Sequence, residues 1–188
     1  NKDKDFLIVG SGKSVDNINE LIPILVRERN LVTIAVNYQS SQLIPTDFLC
    51  ATPNNNLLAE NENYNLYSNT IIAPQHFIES QEERNLFERA DSILHFDYCL
   101  GDHFSLSESG LISKYDLSAA YSLAVAISMG AKKIFCIGFD GYSLDDSRYL
   151  QMVEILKFFQ DYHGEDNLIS LTKTKYPMFN ESIFGYLS

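Results

Sequence analysis

Apolar positions along this chain follow two alternating rhythms. Short unbroken runs read as buried strands, and longer stretches with apolar residues three and four apart read as helices. Phe6-Leu7-Ile8-Val9 is the first such run and ends at the turn Gly10-Ser11-Gly12. A helical period then runs from Ser14 to about residue 29, with Ile18, Leu21, Ile22, Leu25 and Val26 on one face. Ser14 is its expected N-cap, with Asp16 in the first turn. Val32 to Val36 is a second run, closed by Asn37. Strand, helix and strand in that order form a β-α-β unit, from which parallel sheets are built.

Residues 48–51 and 70–73 read as the next strands. The Asn/Glu-rich stretch from Asn54 to Asn69 between them is expected to hold a short helix and a surface loop. Residues 76–90 have a polar helical pattern, and 92–96 read as another strand. Residues 97–114 contain Gly, Ser and His without a clear period, so they read as a long loop of the kind that serves as a binding segment or lid. Ala119 to Met129 forms an Ala-rich apolar helix, capped by Asp116 or Ser118 and ended by Gly130. Ile134 to Gly138 is an almost wholly apolar strand that runs out through Phe139-Asp140-Gly141-Tyr142. A helix from about Asp146 to His163 and a strand near 168–171 complete the series. With no repeat and no linker, the expectation is one domain over residues 1–188. Its fold is α/β, a three-layer α/β/α Rossmann-like arrangement with a mainly parallel sheet.

Composition narrows the function. Hydrophobic residues make up 45% of the chain and charged residues 21%, a balance that supports a globular core. The 25 acidic residues against 14 basic ones, a formal charge of -11, argue against a nucleic-acid backbone or an anionic membrane as partner. No run approaches the ~20 apolar residues of a membrane span. Cys50, Cys99 and Cys136 sit in apolar settings with neither a CxxC motif nor a paired spacing, which fits the buried thiols of a reducing, cytoplasmic setting rather than disulfides or zinc. The chain opens without Met or a signal peptide, so it is expected to be cut from a longer polypeptide.

The glycine turn excludes two cofactor motifs. Gly12-Lys13-Ser14 suggests a P-loop, but the glycine required five positions earlier is Leu7. The dinucleotide pattern fails at Val15, and the second strand ends in Asn37 rather than an acid. What remains is a turn whose backbone N–H groups can face an anion, or a tight turn with no ligand. No resident cofactor or metal is called for.

Other candidates each have two readings. His95, Asp97, Asp102 and His103 lack a recognised ligand spacing; they are surface or capping residues, or His103 is a base in the long loop before the Ser118 helix. Asp140 accepts from a ribose or sugar hydroxyl, or caps its own turn. Tyr142 stacks on a base or closes the sheet end, and Lys13 pairs with a phosphate or is simply solvated. Asn54 to Asn56 fall on the rim where open α/β sheets bind ligands, or form an Asn-rich turn with no ligand.

Three segments carry a family resemblance: FLIVGSGKS (6–14), Val36-Asn37 and LSAAYSLAVAISMGAKKIFCIGFDGY (117–142). They resemble bacterial sialyltransferases that use CMP-sialic acid in surface-glycan synthesis. They resemble more closely still a group of uncharacterised C-terminal domains attached to aldolase-like or other sugar-acid enzymes of capsule and O-antigen gene clusters. The resemblance implies a nucleotide or nucleotide-sugar ligand, CMP-type favoured. Its contacts would be Gly10, Ser11, Gly12 and Ser14 near the phosphates, with Asn37, Ser118 and Tyr142 around the nucleotide. Asp140 or His103 would act as base if glycosyl transfer occurs. The catalytic His and lid of the sialyltransferases have no counterpart after Tyr142, and His163 does not match that base. The second expectation is therefore a non-catalytic accessory or oligomerisation domain of a larger enzyme with a fused upstream domain.

Overall fold

The computed structural model describes residues 3–37, 44, 46–52, 70–79 and 91–187. Among them, eight strands form one sheet: β1 (Phe6–Val9), β2 (Val32–Ala35), β3 (Phe48–Cys50), β4 (Thr70–Ala73), β5 (Ser92–His95), β9 (Ile134–Ile137), β10 (Leu168–Ser170) and β11 (Phe179–Asn180). Their order is β11-β10-β9-β1-β2-β3-β4-β5, and every neighbouring pair is parallel. A smaller sheet holds β6 (Asp97–Leu100), β7 (Ser105–Leu106) and β8 (Gly110–Ser113), in the order β6-β8-β7.

Strands covered on both faces need apolar residues at every position, and β1, β2 and β9 are buried throughout. Phe6 and Ile8 of β1 face α3 (Ser118–Ser128) and α4 (Ser147–His163), in one core with Leu123, Val125, Ile155 and Phe159. Leu7 and Val9 point the other way, to Ile22 and Leu25 of α1 (Ile22–Arg29). On that same side Phe77 of α2 (Gln75–Glu79) covers Ala35, Leu49, Ile71 and Ala73. Helix, sheet and helix are the three layers expected.

Three expectations change. The helix expected from Ser14 is a 3₁₀ turn over Lys13–Asn17, and the α-helix starts only at Ile22. Pro23 accounts for this: inside a continuous helix its ring would clash with the carbonyl of Asn19, whereas the first turn tolerates it. The long loop at 97–114 is the small sheet, whose strands of two to four residues are too short to display a period. It is pinned to the large core by Phe96, Tyr98 and Leu111, by the Tyr121 hydroxyl donating to the Phe96 carbonyl (2.6 Å), and by Phe104 stacked on Phe158. Finally, the cap of α3 is Leu117 with no side-chain bond, so neither Asp116 nor Ser118 caps it. The helix ends at Ser128, just before Met129 and Gly130. The expected short helix at 54–69 and most of the expected helix at 76–90 lie outside the described residues.

Candidate functional site

Strand order reverses at β1: β2 to β5 extend to one side, β9 to β11 to the other. The chain leaves β1 towards α1 on one face of the sheet and β9 towards α4 on the other, and open α/β sheets bind ligands in the crevice this divergence creates. A cleft of about 480 Å³ occupies that position. The Gly10–Gly12 turn, Val36-Asn37 after β2, and Gly138 to Tyr142 after β9 line it from the sheet. Residues 116–119 at the start of α3, together with Arg148, Met152 and Tyr176, complete its lining.

The β1 and β9 loops touch so closely that glycine is required. Gly12 N–H donates to the Gly138 carbonyl (3.0 Å), and a Cβ on Gly12 would sit 2.5 Å from that oxygen. Gly138 has φ +71°, and its own Cβ would meet the Gly10 carbonyl at 2.6 Å. The glycines therefore serve loop packing first. Gly10 N–H is likewise spent on the Ile137 carbonyl (2.8 Å), while Ser11 between them makes no such bond among the described residues. Ser14 does not cap a helix. Its N–H donates to Asp140 Oδ2 (3.0 Å) and its hydroxyl to Oδ1, so the Asp140 carboxylate ties the two loops together.

Also lining the cleft, α3 begins with Ser118, whose hydroxyl is 2.8 Å from that of Thr52 after β3. Ala119, second in the helix, has an N–H with no intrahelical acceptor. Asp116 lies just before this terminus. Burial raises its carboxyl above the usual range, and a hydrogen bond with Tyr98 opposes the rise.

Tyr142 has one ring face occupied, because the Arg148 guanidinium lies 4.3 Å from its centroid. Arg148 also forks onto Asp146, the N-cap of α4, through Nε (3.0 and 3.1 Å) and Nη2 (2.6 Å). These bonds hold the Asp146 carboxyl below its ordinary range. The Tyr142 N–H meets the Tyr176 hydroxyl (3.2 Å), and burial pushes that phenol up to about 12.

Gly10, Ser11, Gly12, Asn37, Ser118, Asp140 and Tyr142 thus share one cleft, with Ser14 directly behind it. His103 does not join them. It sits exposed between β6 and β7 with Nδ1 on Asp102 (2.7 Å), outside the residues that line the cleft. His95 and Asp97 are exposed, Lys13 points to solvent from the 3₁₀ turn, and no metal-binding trio of His, Cys, Asp or Glu occurs among the described residues. Asn54 to Asn56 lie outside the described residues. Arg148, Met152 and Tyr176 are cleft residues that sequence reasoning missed, and Asp116 was weighed only as a cap. A short motif cannot flag side chains brought in from three separate segments; only the Asp-x-Arg start of α4 hinted at a held cation. No family model, curated protein or solved structure matches this chain.

Proposed function

We propose that the cleft binds a nucleotide or nucleotide-sugar phosphate, CMP-type favoured by the sequence resemblance, in the synthesis of a surface polysaccharide. The observation that carries this reading is the meeting, at the switch point, of the Ser11 backbone, Asn37, the start of α3 and Tyr142. Such a crevice offers N–H groups to an anion at one end and polar and aromatic side chains to a nucleoside at the other. Its volume is also in the range of small-molecule sites.

A second reading has a specific observation in its favour. Both oxygens of Asp140 are engaged by Ser14, and His103 lies elsewhere. Neither expected base is poised in the cleft, which favours ligand binding without transfer, as in an accessory domain of a larger enzyme. Titrating CMP into isotopically labelled protein tests the first reading. Amide shifts should cluster at residues 10–14, 36–37, 117–119 and 138–142; shifts that are absent or scattered over the surface would refute it. Release of CMP from CMP-sialic acid by the same sample would overturn the non-catalytic reading.

A further inference from the structure

The cleft holds one cationic side chain among its lining residues, and that cation is already partnered. Arg148 stacks over Tyr142, a cleft-lining ring, and spends Nε and Nη2 on the Asp146 carboxylate. No hydrogen bond from Nη1 occurs among the described residues. A guanidinium has five N–H donors in a planar fork, so three remain, two on Nη1 and one on Nη2, for a second oxyanion without rupture of the first pair. The pair is also solvent-accessible, with side-chain exposures of 54% for Arg148 and 25% for Asp146, so an incoming anion can compete for the rest of the fork. Tyr142 fixes the plane of the guanidinium, which lowers the entropy lost when it engages a ligand.

We propose that Arg148 is the oxyanion-binding residue of the cleft, held in register by Tyr142 and Asp146, and that a phosphate or carboxylate of the ligand takes the N–H groups Asp146 leaves open while competing with that carboxylate for the charge. This deepens the reading of the cleft as a nucleotide site and rests on it for the identity of the ligand, though not for its charge. Asp146 has two separable roles. Its Oδ1 caps α4 by accepting the Arg148 N–H (2.9 Å), and the same carboxylate competes for the Arg148 side chain. Asparagine keeps the cap and removes the charge.

The experiment measures dissociation constants of pyrophosphate, cytidine, CMP and CMP-sialic acid for wild type, Arg148→Gln and Asp146→Asn, with thermal melts confirming that each variant is folded. Arg148→Gln should weaken the anionic ligands by about tenfold or more and leave cytidine unchanged, since charge-assisted bonds are the strong ones. Asp146→Asn should tighten the same ligands by about two- to fivefold, the range an exposed competing ion pair is worth. Loss on CMP itself places a phosphate on Arg148, and loss confined to CMP-sialic acid places the sugar carboxylate there. Equal anion binding by Arg148→Gln and wild type overturns the proposal, as does weaker binding by Asp146→Asn. Arg148-dependent binding of pyrophosphate with no binding of any nucleotide would refute the nucleotide reading and leave this inference standing. Wild-type protein that binds none of the four refutes both.

Discussion

Gly138 sits where two loops must nearly touch, and two constraints act on it at once: a left-handed φ of +71° and a carbonyl 2.6 Å from where a Cβ would stand. Gly138→Ala should therefore cost about 1–3 kcal/mol in denaturant unfolding. Gly185→Ala, where no atom lies within 4 Å of the added carbon, should change stability by less than about 1 kcal/mol. Equal effects of the two would refute the packing argument. His163 makes a second residue-scale prediction. It is half-buried at the end of α4, its Nε2 has no hydrogen-bond partner, and burial lowers its pKa against the opposing effect of a backbone bond at Lys132. The folded state thus favours the neutral ring. Its stabilising contribution is intact above the ordinary histidine value of 6.5 and is lost as pH falls from there through the lower folded value. Urea midpoints at pH 7.5 and 5.5 should differ less in His163→Gln than in wild type; an unchanged difference would contradict this.

At the scale of elements, legibility followed length. The eleven residues of α3 and seventeen of α4 show their apolar face in the sequence, and β1, β2 and β9 are unmistakable because both of their faces are covered. The small sheet escaped because Ser105–Leu106 and its partners offer too few positions for alternation to stand out. Its anchor is the Tyr121 hydroxyl, which reaches from buried α3 to the Phe96 carbonyl where the chain passes from β5 to β6. Tyr121→Phe leaves that carbonyl without its partner and should destabilise the fold by about 1–3 kcal/mol, with a loss of near-ultraviolet circular dichroism from the Phe96–Tyr98–Tyr121 cluster. An unaltered melting curve would show that the hydroxyl contributes nothing. The site was legible in part for the same reason. Gly10, Asn37 and Asp140 follow recognisable strand ends and Ser118 opens a helix, whereas nothing in the local sequence marks Tyr176 or Met152 as reaching the cleft.

Across the whole molecule, the parallel sheet buries two of its three thiols. Burial pushes Cys50 up to about 12 and raises Cys136 as well, whereas Cys99, expected to be buried with them, is exposed because its strand is the outer edge of the small sheet. An aryl disulfide reagent should label one thiol quickly in native protein and all three after denaturation; two or three fast thiols would contradict the packing. No helix among the described residues is long and apolar enough to cross a membrane. The strand reversal at β1 puts the ends of three parallel strands, the start of α3 and Arg148 around one opening, and a ligand there would hold both halves of the sheet together. The most direct test is a thermal-shift series with CMP, CDP, UDP, GDP, ATP and CMP-sialic acid on wild type, Asn37→Ala and Ser118→Ala. A ligand at ~100 times its dissociation constant adds ~2.7 kcal/mol to the folded state, or roughly 5–11 °C for a domain of this size. Selective stabilisation by the CMP compounds, reduced in both variants, is the predicted result. No shift with any of the six would contradict the nucleotide cleft.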